Sequence, residues 1–401
     1  MNTSVPSTPY LSTPILLLMA VACGLCAGGN YFNQPLLNSI AQDLQISEAT
    51  ASLTVTVAQV SYALGLLFIV PLGDMFERRR LVFVLMLLAA MGQFTSALAM
   101  NSEILFIGMG AAGLFSVAAQ VLVPLAAMLS APESSGRAVG IVMSGLLTGI
   151  LLARSAAGLL STVGGWQTVY WLAGGLMVLI AIILWLSLPN SRSPKKISYA
   201  AVFRSMLTLL KQHSILRTRS LLGALCFASV STLFSTMALL LAGPEHGLND
   251  SEIGLVGLIG VAGALMASYA GRLYDKGYGQ QVTKAGLVIF VFSWVMLYMG
   301  GSSLGWFIAG LLFIDLALQG MHICNQNMVY KLAPEARSRI NSVYMTSYFC
   351  GAALGSTLGT IAWNYYAWHG VCILGSVFVA LAALVFWCER RQSNATVTSL
   401  V

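Results

Sequence analysis

Gly73-Asp74-Met75-Phe76-Glu77-Arg78-Arg79-Arg80 stands between two apolar runs, 50–72 and 81–100, and its reading decides the fold. Three consecutive arginines after a run long enough to cross a bilayer mark a loop held on the cytoplasmic side, where Lys and Arg accumulate. Outward from there, Arg137 follows the run 104–129. Arg192, Lys195, Lys196, Arg204, Lys211, Arg217 and Arg219 lie in or beside the gap after 166–188. Arg272, Lys276 and Lys284 flank the gap after 253–273, Lys331, Arg337 and Arg339 the gap after 304–329, and Arg390 and Arg391 follow 367–388. The alternate gaps carry no Lys or Arg and are marked by Asp43, Glu48, Glu103, Glu245, Asp250 and Glu252. One threading of twelve helices near 14–37, 50–72, 81–100, 104–129, 138–161, 166–188, 218–242, 253–273, 282–300, 304–329, 340–363 and 367–388 satisfies this pattern. It places every basic residue but Arg154 on the cytoplasmic side, with both termini cytoplasmic.

Composition points the same way. Of 401 residues, 58% are apolar and 8% charged, where soluble domains carry about a quarter charged. The net charge of +7 is spread over short loops, so sidedness explains it better than a nucleic-acid partner does. Seven cysteines are scattered through apolar segments; Cys23 and Cys26 form a CxxC without a second Cys/His pair, which reads as packing and not as a metal or redox site. The segment Ile15–Ala27 could pass for the core of a signal peptide, but no basic residue precedes it and many spans follow. With no GxxxxGK[ST] loop, dinucleotide fingerprint, hydrolytic triad or metal cluster, the sequence predicts no enzyme, no cofactor and no ATP-driven pump.

The chain repeats. Ala131-Pro132-Glu133 with Arg137 recurs as Ala333-Pro334-Glu335 with Arg339, and at the same spacing Gly149 maps to Gly351 and Trp166 to Trp368. Two parallel six-helix halves around an axis along the membrane normal account for this. The expected division is an N-terminal bundle 1–188, a cytoplasmic linker 189–216 and a C-terminal bundle 217–401. Helical spacing within the linker predicts an amphipathic helix over Tyr199–Leu210.

The loop at 73–80, its second-half counterpart Gly271-Arg272-Leu273-Tyr274-Asp275-Lys276, the twelve spans and the repeat together resemble the major facilitator superfamily. Asn30-Tyr31 and Gln34-Pro35 in helix 1, with Arg154 in helix 5, resemble its bacterial drug:proton antiporter branch. The resemblance implies an all-α membrane protein with two pseudo-symmetric bundles whose helices 1, 4, 7 and 10 line a central cavity. It implies alternating access, proton-coupled export and a bacterial inner-membrane location, and it makes Asp74, Arg78, Arg79, Arg80, Gly271, Asp275 and Lys276 a cytoplasmic latch. The expected partners are a small-molecule substrate, protons and the bilayer, in a monomer. A proton-driven importer and a non-transporting receptor on the same fold are the alternatives.

Residues that could do this work are few. Asp315 and Arg154 are the ionisable groups expected well inside spans, an expensive placement that marks them as functional candidates. Asp315, Gln319, His322 and Gln326 share one face of helix 10, flanked by Asn325. Such a face belongs against a cavity or another helix and not against lipid. Asp315 and His322 are the expected proton or substrate-charge groups. Asn30, Tyr31, Gln34, Gln59, Tyr62 and Gln120 add neutral groups to the expected cavity, which suits a small neutral, weakly basic or lipophilic solute. Arg154 keeps its charge at any relevant pH, so it serves as an ion-pair partner, a hydrogen-bond anchor or an anion site. Gly145, Gly149 and Gly158, with Gly351, Gly355 and Gly359, are small-residue stripes expected where helices slide or pack closely.

Overall fold

The first described helix stops before it has crossed a bilayer: α1 (Thr13–Gly28) carries Pro14 in its first turn and ends at Gly28. Turns over 29–33, a 3-10 turn Gln34–Leu36 and α2 (Leu37–Asp43) complete the crossing. The protein is described by a computed structural model over residues 12–130, 134–190, 198–333 and 336–398, and no strand occurs among them. Ser47 caps α3 (Glu48–Phe68) by accepting from the Thr50 amide, and a 3-10 turn Val70–Asp74 begun at Pro71 leads to α4 (Arg78–Ala97). α5 (Ser102–Phe115), capped by Asn101, and α6 (Ala118–Leu129) form the fourth crossing. α7 (Ser135–Gly164) and α8 (Trp166–Ser187) meet at Gly165, whose φ of 78° suits glycine.

After the linker helix α9 (Tyr199–Gln212), α10 (Ser214–Phe234) and α11 (Met237–Ala242) make the seventh crossing. An Asn249–Glu252 capping box starts α12 (Asp250–Val256), which passes through a 3-10 turn into α13 (Gly260–Asp275). α14 (Gly279–Met299) and α15 (Leu304–Tyr330) follow, then α16 (Arg337–Thr398), which turns back on itself at Ala367 (φ 47°). Among the described residues nine runs are long and apolar enough to span; one of them, Arg339–Arg391, holds both arms of α16. The broken first and eighth crossings bring the total to twelve.

The sequence predicts unbroken first, fourth, seventh and eighth spans, and all four are interrupted. In lipid the groups freed by a break need partners within the protein. At the seventh, Ser235 and Thr236 supply them by donating from Oγ and Oγ1 to the Thr232 carbonyl at 3.1 and 2.9 Å.

The glycine stripes pack mostly inside each six-helix group, not between groups as a sliding surface would. A methyl at Gly149 would sit 2.2 Å from Gly24 on α1, and methyls at Gly351 and Gly355 would sit 2.1 and 2.0 Å from the α10 backbone at Ala224 and Ala228. Gly158 alone of the α7 set meets the second group, at Asp250 and Gly254. The pairs α3 with α16 and α7 with α12 carry the contact between groups.

α9 buries Val202, Met206 and Leu209 against the protein. Tyr199 donates to the Phe68 carbonyl at 2.6 Å, Phe203 lies on Phe68, and Arg339 at the start of α16 donates to Ser205.

Candidate substrate and coupling site

The break after α1 aims Gln34 at Arg154. The Arg154 Nε donates to Gln34 Oε1 at 2.6 Å, and the guanidinium lies 4.0 Å from the Phe234 ring and 5.0 Å from the Tyr31 ring. A buried cation of α7 is thus held by an amide oxygen and an aromatic face from the broken stretch after α1 and by an aromatic face from α10. Asp315 on α15 is 7% exposed and close enough to Arg154 for electrostatic attraction. No contact ion pair joins them; Gly257 lies against Arg154 and Gly260 against Asp315. A methyl on Gly257 would come 3.0 Å from Arg154 Cβ, and one on Gly260 2.8 Å from Asp315 Oδ2. The chain lays bare backbone against a cation of its first half and an acid of its second.

Along α15 the expected stripe divides. Gln319 packs against Gly263, with a methyl there 3.1 Å from Gln319 Cγ. His322 Nδ1 lies 3.1 Å from the Tyr344 hydroxyl, and its ring lies 4.6 Å from that of Tyr348. Gln326 reaches Met345 Sδ at 3.8 Å. Asn325 leaves the stripe: it is buried, and its Oδ1 accepts from Arg219 Nη1 at 3.2 Å.

Arg219 corrects the expectation of two intramembrane charges. The sequence places it with the loop cations, yet it is fully buried in α10 and forms an ion pair with Glu389 at 2.7 Å, with Thr283 and Phe386 nearby. The sequence offered one signal, a basic residue inside a predicted span boundary, which the rule of cytoplasmic cations absorbed. Its partner lies 170 positions away.

The neutral candidates also separate. Tyr31 and Gln34 surround Arg154, and Gln120 Nε2 donates to the Tyr62 hydroxyl at 3.4 Å, with Tyr62 4.5 Å from Phe349. Gln59 Nε2 crosses to Ser231 Oγ on α10 at 3.0 Å. Asn30 turns away from this set into a small pocket of the first six-helix group, beside Asn33, Gln93 and Tyr170.

On the face that carries Asp43, Glu48 and Asp250, the two groups are joined. Ser39 donates to Asp250, and Trp363 Nε1 donates to Glu48 at 3.1 Å. Ser155 donates to the Gly254 carbonyl at 2.8 Å, and the Thr56 and Ser356 hydroxyls meet at 2.7 Å. Gln59 carries the closure about 16 Å down α3 from Glu48, at 1.5 Å per residue. Asp250, at the mouth, is pushed up from the usual carboxylate range by burial, against the opposing hydrogen bond from Ser39.

On the basic face Arg78 Nε donates to the Gly73 carbonyl at 2.9 Å. Arg79 donates to Asn190 at 2.8 Å and stacks 4.4 Å from Trp185. These contacts tie the 73–80 loop to the end of α8 and the start of the linker. Arg80, Asp275 and Lys276 are exposed and Gly271 is half-buried; the Asp74 side chain, like Arg192, Lys195 and Lys196, lies outside the described residues. No group of three or more possible metal ligands occurs among the described residues.

The family model of the Major Facilitator Superfamily matches residues 19–336 and 246–399. A putative uncharacterized transporter of Escherichia coli K12, YgaY, is 47% identical over 96% of this chain and 98% of its own length. A probable sugar efflux transporter of Helicobacter pylori is 25% identical over 88% of each chain. Among solved structures, a bacterial homologue of the human lysosomal transporter Spinster, inward-facing and occupied, superposes with a TM-score of 0.76 at 15% identity. It covers 94% of this chain and 97% of that one. At that identity the likeness concerns the fold alone: twelve helices in two pseudo-symmetric six-helix bundles.

Proposed function

Since the chain belongs to the Major Facilitator Superfamily, we propose that it exports a small solute across the bacterial inner membrane by alternating access, driven by protons. It is a membrane transporter and not an enzyme. The observation that carries the proposal is Asp315: a buried carboxyl in the tenth span, without a contact cation, close to an arginine of the other half. Such a group is costly unless it exchanges a proton or meets a substrate. Arg154 stays charged and anchors Gln34 and Tyr31, while Asp315 takes and releases the proton and His322 lines the path.

The halves 1–188 and 217–401 rock about the α3–α16 and α7–α12 contacts. The joined acidic face is periplasmic, and the basic loops with the latch residues Asp74, Arg78, Arg79, Arg80, Asp275 and Lys276 are cytoplasmic. The amides and hydroxyls buried between the halves suit a neutral polar solute, in keeping with the sugar efflux relatives.

Flux in proteoliposomes tests this directly. A pH gradient should drive uptake of a neutral sugar into inside-out vesicles, and Asp315→Asn should remove the gradient's effect while leaving equilibrative exchange. Undiminished gradient-driven flux in that variant would falsify the aspartate's role.

A further inference from the structure

On the basic face, the linker helix and the start of α16 flank an open groove of about 400 Å³ that the transport reading does not use. Its polar lining is Arg204, Ser205, Thr208 and Gln212 from α9 and Arg339 from α16; among the described residues no acidic side chain contributes. Arg339 already donates to Ser205, which fixes its guanidinium at the junction of the two elements. Ser205 accepts from Arg339 and keeps its own hydroxyl proton to donate, whereas Thr208 spends its proton on the Arg204 carbonyl at 2.8 Å.

We propose that this groove is a phosphate-binding site, and that the phosphate is the headgroup of an anionic lipid of the adjoining leaflet. Two guanidiniums with hydroxyl and amide donors match the charge and hydrogen-bonding demand of a phosphoryl group, and arginine does so in bidentate geometry. The lipid source follows from the outer surface of α9. Its inward residues Val202, Met206 and Leu209 are buried, while Arg204, Leu207 and Lys211 are exposed together, Leu207 by 58%. An exposed leucine flanked by cations is the surface of a helix lying among headgroups and upper acyl chains. A bound headgroup would pin α9 to α16. Because α9 also holds Phe68 through Tyr199 and Phe203, lipid would set how firmly the linker ties one half to the other. The site does not depend on the transported solute or the coupling ion.

The test uses the full chain in nanodiscs. Phosphatidylglycerol mixed into phosphatidylcholine should be retained in native mass spectra and raise the thermal unfolding midpoint by several degrees. Arg204→Gln and Arg339→Gln should each lower apparent affinity for phosphatidylglycerol tenfold or more, while Arg272→Gln, exposed on the same face, changes nothing. Among the described residues the Arg204 side chain makes no hydrogen bond or ion pair, so its variant folds even if the Arg339 variant does not. If inorganic phosphate alone protects, with the same dependence on both arginines, and phosphatidylglycerol does not, the pocket stands and the lipid source falls. Equal retention of phosphatidylglycerol by wild type and both variants, or no preference over phosphatidylcholine, overturns the proposal.

Discussion

Arg219 and Asp250 show at the level of single residues what burial does to charge. Arg219 is matched by Glu389, Asn325 and Thr283, so removing one partner leaves an uncompensated charge in a dry interior. Arg219→Met or Glu389→Leu alone should cost about 3–5 kcal/mol, and the double variant should recover most of it, since a buried pair is often replaceable by apolar side chains. Thermal unfolding in detergent measures both; equal loss in the single and double variants would contradict the pairing. Asp250 behaves in the opposite sense. Its folded value is raised, so the protonated form costs nothing at low pH, and stability is lost as pH climbs upward from the ordinary carboxylate value. The wild type should therefore unfold below Asp250→Asn at pH 7, and the gap should close toward pH 4. Of the candidate site, the sequence disclosed Asp315 and Arg154, because a charge inside an apolar run is visible without a structure. It concealed Arg219, whose place near a span end looked like a loop cation.

The elements are held by missing side chains. At Gly149 a methyl would press into the backbone of α1, whereas at Gly140 on the same helix nothing lies within 4 Å. Gly149→Ala should lower stability by about 1–3 kcal/mol through overpacking. Gly140→Ala should be neutral or gain up to about 1 kcal/mol from helix propensity. A comparison of unfolding midpoints checks both, and similar values would deny the close α1–α7 approach. The element list was legible from hydropathy, but the interruptions in the first, fourth, seventh and eighth crossings were not. Breaks such as those at Gly28 and at Ser235-Thr236 leave the hydropathy of a segment unchanged, and only partners on other helices or in the same turn make them tolerable.

For the whole molecule, the joined acidic face makes a kinetic statement. Thr56 and Ser356 touch across the halves at 2.7 Å, so cysteines there are placed to bridge. Thr56→Cys with Ser356→Cys, in a background lacking the native cysteines, should cross-link under oxidant, stop transport and recover on reduction. Expression as two fragments split within the 189–216 linker, followed by electrophoresis, reports the bridge, because the halves then stay together only if cross-linked. Efficient transport by the bridged protein would mean that this face does not open during the cycle.

Span count and the internal repeat were decided by the sequence alone. They follow from the free energy of putting each residue in lipid or water, which depends on that residue and its near neighbours. Which polar groups meet was decided by the tertiary structure. Arg154 finds Gln34 and two aromatic faces, Asp315 lies against Gly260, and Arg219 finds Glu389. Those outcomes depend on distances between residues far apart in the chain, and helical periodicity within one segment carries no record of them.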